Sequence, residues 1–454
     1  MQVTHAEEPR TLGMKISGKH FGAVLAFVLA LLMWGYYAHS RQLIEQRLTA
    51  SGFPERNFSD LFPRWLGTRE LLLRGRDPYS PEITREIQRG YYGRPIDSRQ
   101  ATDPVDEQRF AYPLFVVFML APTVSLPFSV VKALFTWILF AAAVWTVILW
   151  IRIIGLKTGR GQIFPYILLT LATIPYAQGI QLQQLSVLVA FFLATAVYAL
   201  ATEKFAAAGI SLAIATIKPQ LSIYLIGCLL LWSVWRWKSR KSVAISVCVI
   251  LVGFILASEW LLPGWPSEFF AGMQPYLRYT QATTSVHALF GRVGGTIVLF
   301  ILAVITTIAA WRAKFEPVDS DDFRLAISLV LVFTCISVPS LAPHNQVLLV
   351  PAYLLLLRES KEIKSAGRIA RSLWFGAWLT LVWPWVAGTL LVAISVFHHA
   401  SPRLWDLPLV TNPLIPITAF TALVPLLVLR AGRVGHPVQK SLRELWSKNP
   451  CRTA

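Results

Sequence analysis

The sequence predicts an all-α integral membrane protein of about twelve transmembrane helices with a long first extracytoplasmic segment. Three observations carry that prediction. Of 454 residues, 55% are hydrophobic and only 15% charged, whereas a soluble domain has about a quarter charged. Apolar runs recur along most of the chain at about 20 residues, the length that crosses a hydrocarbon core about 30 Å thick. Lys and Arg fall in short clusters just after those runs, as the positive-inside rule distributes them. The net charge of +18 is thereby explained by topology, and no nucleic acid is expected as a partner.

The elements follow in order. The first span is placed at 21–38. It lies behind Lys15, Lys19 and His20 and reads as an uncleaved signal anchor, being as long as a membrane span. A polar segment, 39–109, follows it. The run 111–122, AYPLFVVFMLAP, is bounded by Pro113 and Pro122 and is too short to cross, so it reads as a re-entrant or interfacial helix. Later spans are placed near 129–151, 163–178, 185–201, 205–218, 221–235, 242–260, 293–311, 323–339, 346–357, 373–397 and 413–430. Basic clusters stand at Arg152/Lys157/Arg160, at Arg236/Lys238/Arg240/Lys241, at Arg358/Lys361/Lys364/Arg368/Arg371, and in the tail 431–454. With residues 1–20 inside and twelve crossings, all four clusters face the cytoplasm. Both termini are then cytoplasmic, the protein sits in the plasma membrane, and 39–109 lies outside. No internal repeat is visible, which weakens a transporter reading.

Polar residues inside such a chain need a reason. Asp60 stands in SDLFPRWLGTRELLLRGRDPYSP among Phe62 and Trp65, with Arg64 and Arg69 close behind. If 58–74 is helical, Asp60 and Arg64 share a face, and Gly75 with Asp77-Pro78-Tyr79 ends the helix in a turn. A carboxylate among arginines at a membrane surface suits base chemistry on a charged substrate; it equally suits helix capping or an ordinary ion pair. Lys218 precedes Pro219. A charge at the bilayer centre costs about 2.5–3.5 kcal/mol, so Lys218 either snorkels from a helix end or serves as a cation for a lipid-linked phosphate.

His344 and Asn345 lie where Pro339, Pro343 and Pro351 break a helix and free backbone groups for a ligand or for local structure. Gln178, Gln181, Gln183 and Gln184 either donate to sugar hydroxyls or tie helix ends together, the tie being the simpler reading. In 261–292, Trp265, Tyr276 and Tyr279, with Arg278, His287 and Arg292, suit either sugar stacking or an interfacial aromatic belt. The turn formers and charges of 83–109 suggest a mobile flap. Cys228, Cys248, Cys335 and Cys451 form no CxxC pair, so neither disulfide nor metal site is inferred. There is no P-loop, GxGxxG, HExxH or GxSxG, and no cofactor is expected.

Taken in order, five pieces resemble the polyprenyl-phosphate-sugar-dependent GT-C glycosyltransferases, specifically glycosyltransferase family 87, which includes bacterial mannosyltransferases. They are SDLFPRWLGTRELLLRGRDPYSPE (59–82), FAYPLFVVFMLAP (110–122), the Gln-rich 178–184, the run 208–219 ending Ile-Lys-Pro, and SVPSLAPHNQ (337–346). The family's histidine often follows Ser-Trp; here it follows Ala342-Pro343.

The resemblance implies a GT-C-like fold and a hexose, mannose foremost, moved from a polyprenyl-phosphate donor to an extracytoplasmic lipid or glycan acceptor within membrane lipid. It implies Asp60 as the base, supported by Arg64, with Lys218 and His344 on the donor phosphate. Arg292, Asn345 and Gln184 are further candidate substrate contacts. The alternative from another class is a transporter or flippase of a lipid-linked saccharide, with the same cations lining a path. An enzyme should gather Asp60, Lys218 and His344 in one cavity, whereas a transporter should set its polar residues between related halves.

Overall fold

Unbroken apolar runs become long helices in this chain, and interruptions marked by Pro or Gly become bends and short turns. The computed structural model describes residues 18–50, 59–96, 104, 106–279, 283–397 and 401–447. The expected N-terminal segment up to residue 17, Asp97, Asp103 and Cys451 lie outside the described residues. The chain opens with α1 (Gly18–Ala50), α2 (Phe62–Arg74), α3 (Pro81–Tyr92), α4 (Val116–Leu120) and α5 (Phe128–Ile154). Next come α6 (Ile163–Leu171), α7 (Ile174–Gln181), α8 (Ser186–Ala201), α9 (Phe205–Ala215), α10 (Pro219–Trp235), α11 (Trp237–Leu261) and α12 (Trp265–Tyr279). It closes with α13 (Ser285–Ala313), α14 (Asp321–Ser337), α15 (Val350–Arg358), α16 (Ser360–Ser365), α17 (Arg368–Phe397) and α18 (Leu414–Ser447). Among the described residues every regular element is a helix.

Six stretches are long and apolar enough to cross a membrane: Gly22–Arg47, Phe128–Ile154, Trp237–Leu261, Ser285–Ala313, Arg368–Ser395 and Arg403–Ala431. A seventh forms if α6 and α7, bent by 64° at their junction, count as one. The protein is therefore a multi-pass membrane protein. Helices occur near each of the twelve expected spans, yet α8, α9, α10 and α14 have only 16, 11, 17 and 17 residues. At about 1.5 Å per residue, each falls short of a core about 30 Å thick. An apolar run in sequence does not distinguish a crossing from a short helix buried against its neighbours. Most of α8 is buried, against α5 on one side and α9 on the other. The α9–α11 crossing is close because Gly209 is there: a Cβ would fall 2.4 Å from the Val243 carbonyl oxygen.

Among the described residues, the polar segment holds two packed helices. Helix α2 stops at Gly75, whose φ of 64° lets its N–H reach Leu71 O at 2.9 Å. Ser80 then caps α3, Pro81 takes its first position, and Ile83, Ile87 and Tyr91 bury one face. The expected mobile stretch thus begins as a packed amphipathic helix; residues 97–103 and 105 lie outside the described residues. The short helix expected in 111–122 is α4, continued by a 3-10 turn at Ala121–Thr123. Part of the expected aromatic loop is helix α12. Trp265 packs edge-on against Phe115, ring centres 6.2 Å apart, so this ring serves the core.

A second charged region ties helix ends together. Arg324 Nε and Arg358 Nη1 donate to the last carbonyls of α5, Ile153 O at 2.7 Å and Ile154 O at 2.9 Å. Both guanidiniums also reach Asp321 Oδ1, at 3.0 and 2.8 Å. Arg430 donates to Asp321 O at 2.6 Å and lies 3.6 Å from Glu359 Oε1.

Candidate active site

Two turns build the site. After α7, Gln183 adopts φ 50°, which is uncommon for a residue with a Cβ. Its side-chain amide holds the turn by donating to Thr136 Oγ1 at 3.0 Å, Ile180 O at 3.0 Å and Gln181 O at 2.9 Å. Gln184 N closes onto Gly179 O at 2.8 Å. Before α2, Ser59 makes the other turn, its O accepting from Phe62 N at 3.0 Å and its Oγ from Leu61 N at 3.3 Å. The two turns are stitched by Asp60 N, which donates to Leu182 O at 2.8 Å.

This arrangement bears on the capping role that the sequence allowed Asp60. Asp60 precedes α2, and Leu61, at the cap position, makes no side-chain cap bond. The Asp60 carboxylate is thus not consumed in capping; Gln184 Nε2 donates to its Oδ2. Arg64 Nη1 donates to the backbone carbonyl of Asp60 at 2.5 Å, and its guanidinium lies 4.5 Å from the Tyr112 ring centre. The shared helical face expected for these two residues is replaced by a backbone clamp.

From Gln184 the network continues. Lys218 Nζ donates to Gln184 Oε1 at 3.2 Å and to Asn345 Oδ1 at 3.1 Å. Lys218 is 6% exposed, at the junction where α9 has ended and Pro219 starts α10. Asn345 and His344 sit on the 3-10 segment Pro343–Leu349 that replaces the first turns of a helix. His344 N donates to Gln178 Oε1 at 3.3 Å, while its buried Nδ1 has no hydrogen-bond partner. Five candidates, Asp60, Arg64, Gln184, Lys218 and Asn345, are therefore linked, with His344 next to Asn345 in the same turn. Arg292 is not: it is exposed just after the break at Gly291 in α13, and among the described residues no contact joins it to the network.

Burial pushes the pKa of Asp60 up, and the charge of Asp106 adds to the rise; Arg64, the Gln184 amide and Lys218 act in the opposite direction without cancelling it. Among the described residues no three His, Cys, Asp or Glu side chains gather to hold a metal ion. Beyond the Pro343–Leu349 turn lies a cavity of about 350 Å³, lined by Tyr176, Gln346, Leu349, Tyr353, Trp378 and Trp385. It is apolar and does not include the network itself.

Tyr112 and Ser59 enter the site without having been singled out individually, and Gln178 enters it through its bond to His344 N. Tyr112-Pro113 and the Gln-rich run were visible as motifs; that Ser59 rather than Asp60 makes the turn had no signal in the sequence.

The sequence profile of glycosyltransferase family 87 matches residues 110–339. The chain belongs to glycosyltransferase family 87. No curated protein and no solved structure matches it. Membership makes this a glycosyltransferase, with a sugar donor and an acceptor as its substrates. Within family 87, the matched stretch includes Gln184 and Lys218, begins after Asp60 and ends before His344.

Proposed function

We propose that this glycosyltransferase moves a hexose, mannose foremost, from a polyprenyl-phosphate donor to a lipid or glycan acceptor on the extracytoplasmic side of the plasma membrane. Asp60 takes the acceptor hydroxyl proton while that oxygen attacks the anomeric carbon. The bond from that carbon to the phosphate oxygen breaks, and the lipid phosphate leaves with its charge met by Lys218, with His344, Arg64 and Asn345 around it. Direct displacement with one base inverts the anomeric centre.

The observation that carries this reading is the convergence of a carboxylate and a buried ammonium from segments 158 positions apart (218 − 60) onto one amide. A buried lysine whose contacts are amide oxygens has no carboxylate paired to it directly, and an arriving phosphate anion would favour its charged form. A path through the protein would not require that convergence. Apolar space beside the site at the 350 Å³ cavity suits a substrate with a hydrocarbon tail.

The test is transfer in membranes from radiolabelled polyprenyl-phosphate-mannose, comparing wild type with Asp60→Asn at matched expression. Transfer by the wild type and its loss in the variant is the expected result. Equal transfer by both would strip Asp60 of the base role, and no transfer by either would refute the donor.

A further inference from the structure

We infer that Gln184 is a positioning residue that keeps the base and the phosphate-binding cation apart, so that neither neutralises the other before substrate arrives. The inference rests on the roles proposed for Asp60 and Lys218 and adds a third, for a group that need touch neither sugar nor phosphate.

The geometry is specific. One amide, 5% exposed, touches both charges: its Nε2 donates to Asp60 Oδ2, and its Oε1 accepts from Lys218 Nζ at 3.2 Å. The partners fix the orientation, since the reversed amide would set N–H against ammonium and C=O against carboxylate. Asp60 and Lys218 are thus one amide apart, close enough for each to feel the other's charge. Two opposite charges that near in a buried place close to a direct ion pair unless something occupies the gap. A closed pair would take the proton-accepting oxygen away from the acceptor and the ammonium away from the phosphate. A neutral amide in the gap satisfies both groups by hydrogen bonding and keeps ammonium and carboxylate out of direct contact. Ammonium and carboxylate each retain capacity for a further partner.

Around this spacer the protein prevents drift. Gln183, held at φ 50° by three bonds from its own side chain, and Gln184 N on Gly179 O fix the amide's root. Asn345 Oδ1 holds Lys218 from the far side at 3.1 Å. Arg64 holds the Asp60 carbonyl and Leu182 O holds its N–H, so the backbone that carries the carboxylate cannot shift toward Lys218 without breaking those bonds.

The test uses the full-length protein in detergent and farnesyl phosphate, a short isoprenyl phosphate, as the probe, with affinity read from the thermal shift. Gln184→Met keeps the side-chain length and removes both bonds. Its expected effect is a loss of farnesyl phosphate affinity of about ten- to a hundredfold, the range of one charge-assisted hydrogen bond withdrawn from the ligand. The deciding variant is Asp60→Asn combined with Gln184→Met. With no carboxylate to capture it, Lys218 is released and affinity returns to within about threefold of wild type, well under one such bond. A structural collapse at position 184 would not be rescued by a change at position 60.

Gln184→Met binding like wild type, or the double variant binding as poorly as Gln184→Met, overturns the spacer role and leaves the proposed reaction standing. Wild type failing to bind farnesyl phosphate overturns both.

Discussion

Two of the charge clusters among the described residues lie at opposite ends of α14 and α15, and they are built on opposite rules. In the cluster around Asp321, each guanidinium meets a carboxylate, and helix-end carbonyls take up further N–H groups: Arg324 and Arg358 share Asp321 and together hold the end of α5. In the cluster around Asp60, the carboxylate and the ammonium meet an amide in place of each other. Charge paired with its opposite fastens helices, and charge met by an amide leaves that pairing open to a ligand. The same residue types therefore do different work according to whether their opposite is supplied by the fold or left to be supplied by the substrate.

The largest expected effect breaks the comparison at its reactive end. Asp60→Asn should lower transfer by about 10²–10⁴-fold, the usual contribution of a positioned base, with the protein still inserted and folded. Next, Lys218→Met should weaken the donor by about ten- to a hundredfold through the loss of charge-assisted bonds to phosphate. This should appear in KM for the polyprenyl-phosphate sugar at saturating acceptor. The directly paired cluster should answer in stability instead. Arg358→Met removes its bonds to Ile154 O and Asp321, and should cost about 1–3 kcal/mol of stability, partly offset by solvent at the half-exposed Asp321. Transfer per folded molecule should stay near wild type, and thermal inactivation in detergent is the measurement.

The smallest effect concerns pH and sharpens the contrast. Because the pKa of Asp60 is raised, the acid limb of the transfer rate should have its midpoint above the ordinary value of about 3.9. Folded Asp60 also holds its proton more tightly than the unfolded chain does. That contribution to stability is complete below the ordinary carboxylate pKa and is lost as pH rises through the folded one. At neutral pH the ionised carboxylate therefore burdens the fold, and Asp60→Asn should melt slightly higher than wild type. A lower melting point at neutral pH would mean that Asp60 belongs with the fasteners.

Much of this was legible in the sequence, for identifiable reasons. Asp60, Lys218 and His344 stand out because charge or imidazole beside apolar runs is costly and needs an explanation, and the prolines around His344 and Lys218 mark the helix breaks on which they sit. Helix α3 was also readable: Ser80-Pro81 is a start signal, and Ile83, Ile87 and Tyr91 recur at helical spacing. The turn formers further along 83–109 drew attention away from it.

The number of crossings was not legible, because short helices such as α9 are as apolar as membrane spans and only tertiary packing reveals their length. Gln184 is among the expected substrate contacts, yet its place between Asp60 and Lys218 was not legible, since it depends on the backbone of Gln183 and on a partner 124 residues away. The Asp321 cluster was invisible for the same reason. Its members come from helices far apart in the chain, and each alone looks like one more basic or acidic residue at a helix end.

One bond described above bears on timing. The amide of Asp60, in a stretch with no regular structure, is tied to the carbonyl of Leu182. It should therefore resist deuterium exchange far longer than a loop amide ordinarily does, at a rate set by the opening of the turn between α7 and α8. Under the proposed reaction, Asp60 is then in place before either substrate arrives. The encounter spends no time waiting for a loop to order, and what remains to limit the rate is the arrival of the sugar donor and acceptor and the departure of their products.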